Sequence, residues 1–154
     1  MKIALGSDHA GFPGKEAAKK VLDELGVAYD DLGAVNAADS VDYPDFAEAV
    51  GTAVADGAYD RGLLFCGTGI GIGIAANKIP GVRAAIVHDV ETAHLSREHN
   101  DANIMAMGVR NADPTLLPDV IKEFLTTEFA GGRHSRRIEK ISAIEKKFDA
   151  SAKS

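Results

Sequence analysis

The chain carries one cysteine, Cys66, placed where an apolar run meets a glycine-rich one: LLFCGTGIGIGIAANK, residues 63–78. Gly67, Gly69, Gly71 and Gly73 follow it on alternate positions. A strand ending at Cys66 and a helix opening in the glycines would leave backbone N–H groups unshielded at a helix start. Such groups, with the helix dipole behind them, hold anions. Close strand–helix packing accounts for one or two of the glycines and not for all four. Most lone cysteines are small core hydrophobes. Beside free amides at a strand mouth, however, the thiolate form is favoured. A thiolate next to an oxyanion cradle can take a proton from a carbon adjacent to a carbonyl while the cradle holds the resulting enediolate.

Other candidates lie at other junctions. His9 follows Asp8 in SDHAG, and His99 with Asn100 sits in SREHNDAN. His88 and His94 read as structural. Arg133 and Arg137 are four apart, so a helix there puts them on one face. With Arg110 they would form a forked clamp for a phosphate dianion, or else belong to an ordinary solvated charge run. No histidine pair has metal-ligand spacing, and no metal is expected. Two nucleotide fingerprints fail. GxGxxG would need glycine at Ile72 or Ile74, and a P-loop would need glycine where Asn77 precedes Lys78. Asp89 lies near the place of a ribose-binding acid, which keeps a non-catalytic nucleotide-binding module open as a second reading.

These residues need elements to position them, and the chain alternates strand-like and helical patterns. KIALGS reads as a buried strand. The helix after it begins near Pro13, stops at Gly26, and carries Ala17, Ala18, Val21, Leu22 and Leu25 on one face. VAYDDLG is a second strand, and DYPDFAEAVGTAVADG a helix ended by Gly57. RGLLFC is the third strand, followed by the glycine-opened helix. VRAAIV with a helix over 90–99, and NIMAMG with a helix over 114–128, complete the set. Five strands each followed by a helix predict a three-layer α/β/α sandwich on a five-stranded, mostly parallel, Rossmann-like sheet. Right-handed crossovers then bring all strand C-termini to one edge, where ligands bind. The last segment, HSRRIEKISAIEKKF, places Ile138, Ile141, Ile144 and Phe148 in a narrow stripe. That stripe is either a seam against a second subunit or a face packed back on its own domain.

The bulk properties agree with one globular unit. The chain has 154 residues, 45% hydrophobic and 26% charged, so a single domain over residues 1–149 is expected, with a frayed tail at 150–154. A net charge of −6 argues against nucleic-acid binding, though a local basic cluster can still hold a small anion. One cysteine fits a reducing compartment, and no apolar run reaches membrane-spanning length. A cytoplasmic location without membrane partners is the expectation.

Six motifs taken together resemble a known family. SDHAG, CGTGIGI, AANK, REHND, GVR and GGRHSRR match, in this order and spacing, the type B ribose-5-phosphate isomerases, with their allose- and galactose-6-phosphate relatives. The resemblance spans about residues 2 to 147. It implies a cofactor-independent aldose–ketose isomerase acting on a sugar phosphate, with ribose 5-phosphate expected first and four- or six-carbon phosphates as alternatives. It implies that Cys66 is the base moving a proton between C1 and C2. Members without this cysteine use a glutamate where this chain has Ile72. Gly67, Thr68, Gly69, Ile70 and Gly71 would form the anion hole, with Thr68 contacting O1 and O2. His99 and Asp8 would open the furanose ring. His9, Arg133 and Arg137 would hold the phosphate, with Arg110 reaching in from a neighbouring subunit. Tyr43 and Asn100 would contact sugar hydroxyls. Members of the family are dimers or tetramers with sites between subunits, so a homodimer or homotetramer is implied.

Overall fold

In the computed structural model, which describes residues 1–149, five strands alternate with helices as β1 (Lys2–Ser7), α1 (Phe12–Leu25), β2 (Ala28–Asp31), α2 (Tyr43–Ala55), β3 (Arg61–Cys66), α3 (Ile70–Ala76), β4 (Ala84–Ile86), α4 (Val90–Glu98) and β5 (Ile104–Gly108). A 3-10 turn (Pro114–Leu116), α5 (Leu117–Thr126) and α6 (Arg133–Phe148) follow. Residues 150–154, where a frayed tail is expected, lie outside the described residues. No described helix is long and apolar enough to cross a membrane.

The strand order is β2-β1-β3-β5-β4, and all four pairings are parallel, so the expected "mostly parallel" sheet is wholly parallel. From β1 the chain steps outward to β2, then crosses back to β3 on the other side of β1. That reversal makes the C-terminal ends of β1 and β3 a topological switch point, where crossing connections part and leave a crevice. Opposite directions of travel put the right-handed crossovers on opposite faces. Ala18, Val21 and Leu22 of α1, Ala93 of α4, and Val120, Ile121 and Phe124 of α5 pack on one face with Leu5, Leu63 and Phe65. Ala47, Val50 and Val54 of α2, with Ile72 and Ala76 of α3, pack on the other with Ala4, Leu64 and Cys66. Period-two alternation along β3 sends Phe65 to the first core and Cys66 to the second.

Several element ends differ from the sequence expectation. α2 stops at Ala55, capped by Asp56, and Gly57 only turns the chain away. The helix expected over 114–128 divides because Pro118 fits only the first turn of a helix, so a 3-10 turn precedes α5. On α1 the buried face is Gly14, Lys15, Ala18, Val21 and Leu22, and Leu25 is 41% exposed. A lysine in that face breaks the apolar pattern, and its partners explain it. Lys15 Nζ donates to Asp31 Oδ1 at 2.7 Å and to the Ala34 carbonyl. Burial by itself would push the Asp31 carboxyl up, but hydrogen bonds from Lys15, Lys19 and the Gly33 N–H hold it below its usual range.

The α6 stripe does not pack fully back on its own domain. Ile141 is 47%, Ile144 61% and Phe148 67% exposed, flanking a cleft of about 990 Å³ that also includes Pro80, Val82 and Ala84. Glu145 ties α6 to this end of the molecule by accepting the Gly81 N–H at 3.1 Å.

His94 and Glu123 join α4 to α5 through a 2.6 Å contact. The bond to Glu123, with Glu98 nearby, raises the His94 imidazole above 6.5, and the same bond lowers the Glu123 carboxyl below 4.5. The raised histidine contributes stability that is complete below pH 6.5 and is lost as pH rises through its folded value. The lowered carboxylate contributes stability present above pH 4.5 and lost on acidification. Thermal melts of wild type and His94→Gln should therefore differ most between about pH 5 and 6 and converge at higher pH. A gap that stays constant up to pH 9 would rule this coupling out.

Candidate functional site

β3 delivers Cys66 to the switch-point edge, where the residue is 4% exposed. Val109 and Arg110 N–H groups bond the carbonyls of Cys66 and Gly67, so β5's exit is stitched to β3's exit. The Cys66 Sγ accepts the Gly69 N–H at 3.1 Å.

The four glycines have four separate reasons. Gly69 adopts φ +78, and a Cβ there would come within 2.8 Å of the Gly108 backbone nitrogen, so the turn that aims its N–H at the thiol needs glycine. Gly73 serves packing, since a Cβ would meet Ile86 at 2.6 Å. Gly67 and Gly71 make room for polar side chains instead. A Cβ on Gly67 would lie 2.9 Å from Arg110 Nη1, and one on Gly71 would lie 2.6 Å from Tyr43 Cζ. Arg110 and Tyr43 therefore rest on bare backbone in the turn after Cys66. The contact between Arg110 and Gly67 lies within one chain.

Thr68 is exposed on the same turn, with its Oγ1 accepting the Ile70 N–H at 3.2 Å. Asn111, which the sequence reading did not single out, donates to the Thr68 carbonyl at 3.2 Å and steadies the turn. At the end of β1, Asp8 is buried and its Oδ1 accepts the Gly11 N–H at 2.8 Å. The His9 ring is held by the Val41 backbone, with Nδ1 3.1 Å from the Val41 nitrogen. Asp8, His9, Tyr43, Cys66, Gly67–Gly71 and Arg110 thus share one edge of the sheet.

His99, Asn100, Arg133 and Arg137 do not join them. A helix that follows a parallel strand runs back, so α4 ends at the edge where strands begin. Arg83, just before β4, donates to the Asn100 and Asp101 carbonyls there, and Ala130 bonds the Glu98 carbonyl. α6 starts beside it, and its His134 stacks on His99 with ring centroids 4.3 Å apart. His134 was invisible in the sequence because it sits among arginines with no apolar signal. Burial, then His99, Arg133 and Arg137, holds its imidazole below the usual histidine range. Along β3 the six residues span roughly 17 Å, which separates the two edges. Within one chain, His99 is not a partner of Asp8, and Arg133 and Arg137 are not partners of His9.

Asp89 is also accounted for. Its carboxylate caps α4 by accepting the Thr92 N–H at 2.8 Å, a helix role rather than a ribose contact.

Comparison with known proteins places this geometry. A family model described as Ribose/Galactose Isomerase matches residues 3–141. The chain is 44% identical to ribose-5-phosphate isomerase B of Escherichia coli, over 95% of this chain and 97% of the relative. It is 37% identical to a D-erythrulose-4-phosphate isomerase of Pectobacterium atrosepticum, over 94% and 95% of the two chains. The solved structure of Clostridium thermocellum ribose-5-phosphate isomerase B superposes with a TM-score of 0.94 at 48% identity, covering 97% of this chain and all of that one. With its wholly parallel sheet, switch-point cysteine and glycine turn, the chain belongs to the ribose/galactose isomerase family, the family of the type B ribose-5-phosphate isomerases.

Proposed function

We propose that the protein interconverts ribose 5-phosphate and ribulose 5-phosphate in a site assembled from two copies of the chain. The observation that carries this reading is the division of the candidate residues between opposite edges of one parallel sheet, roughly 17 Å apart. Two antiparallel copies can bring the Cys66 edge of one against the His99 edge of the other. The exposed Ile141, Ile144 and Phe148 beside the His99 edge supply the apolar area for that contact, at about 1.5–3 kcal/mol for each side chain fully buried. A homodimer suffices, and a tetramer would pair two of them.

In this site His99 opens the furanose ring by moving the proton between the ring oxygen and the C1 hydroxyl, with Asp8 across the interface. The Cys66 thiolate then removes the C2 proton of the aldose. The electron pair passes into a C1–C2 double bond, and the negative charge on oxygen is held by the Gly67, Thr68, Gly69, Ile70 and Gly71 turn. Thr68 hands the hydroxyl proton from O2 to O1. Cys66 returns its proton to C1, giving the ketose. His9 from one chain and Arg133 and Arg137 from the other hold the phosphate, with Arg110 over Gly67 completing the cationic lining. Tyr43 and Asn100 meet sugar hydroxyls. Phosphate binding remote from the reacting carbons holds the open chain in a reactive pose, and proton transfer alone calls for no cofactor.

The D-erythrulose-4-phosphate isomerase among the relatives favours a second reading in which a four-carbon sugar phosphate is the better substrate. One methylene in a pocket changes selectivity by only about 1–3 kcal/mol, so activity on both is expected. A kcat/KM panel over four-, five- and six-carbon sugar phosphates should peak at ribose 5-phosphate. A peak at four carbons would move the assignment.

Cys66→Ser should lower kcat by about 10²–10⁴ with KM changed little, since the thiolate acts on C–H and not on the phosphate. Retention of more than about a tenth of kcat would contradict the role of base. Shared sites make a mixing experiment decisive. When inactive Cys66→Ala and His99→Asn chains are dissociated and reassociated together, one site of each mixed dimer receives both defects and the other neither. Activity should recover to about half of wild type per mixed dimer. No recovery in verified mixed dimers would mean that each site is built from one chain.

A further inference from the structure

Among the described residues, Asp101 is the one non-glycine with positive φ, at +46. It lies in the short turn between α4 and β5, directly after His99 and Asn100. Side chains are crowded against their own backbone in this region, which is why glycine usually occupies it at helix ends. Here an aspartate is held in it by two arginines, one within α4 and one directly before β4. Asp101 Oδ1 accepts from Arg97 Nη1 at 2.8 Å, and Oδ2 faces Arg83 Nη2 at 3.3 Å. Arg83 also donates to the Asp101 carbonyl at 2.9 Å from Nη2 and to the Asn100 carbonyl at 3.2 Å from Nε.

The arginines are themselves anchored. Arg97 is 5% exposed and donates to the Ala102 carbonyl at 2.6 Å and to the Thr127 carbonyl at 3.3 Å. Arg83 precedes β4, and its N–H bonds the Asn103 side chain at 2.8 Å. The turn is closed by Asp101 N–H to the Arg97 carbonyl and Ala102 N–H to the Ser96 carbonyl. Every residue from Asp101 to Asn103 is therefore tied inward by its side chain or backbone. His99 and Asn100 are the residues left to project, with His99 steadied by the His134 stack.

We propose that Asp101 is the positioning residue of the His99 half-site: gripped by Arg83 and Arg97, it holds the left-handed turn that aims His99 and Asn100 at the Cys66 edge of a second chain. The inference rests on the shared site proposed above. Asp101 touches no reacting atom, and its effect passes through His99 and Asn100.

The test compares Asp101→Gly, which keeps access to the left-handed conformation and removes the grip, with Asp101→Asn, which keeps the conformation and a polar partner for one arginine. Asp101→Gly should lose about 10- to 100-fold in kcat/KM, as expected for misaimed catalytic groups, and Asp101→Asn should recover part of it. Two readouts separate aim from mere stability. In the His99→Asn background the further loss from Asp101→Gly should shrink to the Asn100 contribution alone. In mixed oligomers, Asp101→Gly chains should restore activity with Cys66→Ala chains and not with His99→Asn chains. If Asp101→Gly fails to fold, Asp101→Asn carries both readouts. Wild-type kcat/KM in the variants, an undiminished loss in the His99→Asn background, or recovery with His99→Asn chains would overturn the proposal. If His99→Asn is itself fully active, the proposed role of His99 fails, and this inference fails with it. If His99→Asn is inactive while Asp101→Gly is not, only the present inference fails.

Discussion

Because every strand in the sheet runs the same way, whatever a strand delivers arrives at one edge, and whatever ends a returning helix arrives at the other. Strand ends carry Asp8, Cys66 and Arg110 to the first edge, and the ends of α4 and α5 carry His99 and the start of α6 to the second. A parallel sheet cannot fold those groups together within one copy, because β3 stands between them as a rigid spacer. The exposed apolar stripe on α6 belongs to the same problem. It lies at the edge that carries His99, and the two-copy site proposed above would bury it.

The cradle next to Cys66 depends on close approach more than on flexibility. Only Gly69 among its four glycines needs a backbone conformation closed to other residues. Gly67 and Gly71 are bare so that a guanidinium and a phenol can lie against main chain. A methyl group at either position would lift Arg110 or Tyr43 by a substantial part of an ångström, a displacement large on the scale of a hydrogen bond. Alternating glycine along this turn thus interleaves turn, packing and site functions that are independent of one another.

Buried charge is used in this fold to fix loops rather than to fill the core. Lys15 takes a fully buried position on α1 in order to pin the β2 exit through Asp31 and the Ala34 carbonyl. Arg97 does the same at the opposite edge, through Asp101 and the Ala102 and Thr127 carbonyls. Each cation satisfies carbonyls that a loop would otherwise leave unpaired, and each has a carboxylate to offset its desolvation. Removing one partner would cost more than the pair contributes, because it would strand the other.

Element order, the parallel sheet and the glycine turn after Cys66 were legible in the sequence, because they rest on local periods and on turn residues that act within a few positions. The six motifs likewise carried the family without any coordinates. What lay beyond the sequence was long-range. Lys15 lies outside the apolar stripe read from the period because its partners are 16 and 19 residues away, and Leu25 looked buried because the period continued past the end of the core. Asp101 and His134 stand inside the motifs REHND and GGRHSRR without revealing a role, since stacking on His99 and bridging Arg83 to Arg97 exist only once α4, β4 and α6 have met. Motif order likewise leaves open which of these groups a single copy of the chain brings together. Tertiary structure decides that, for a physical reason: a sequence motif records which residues are present, while strand direction determines the edge of the sheet to which each is delivered.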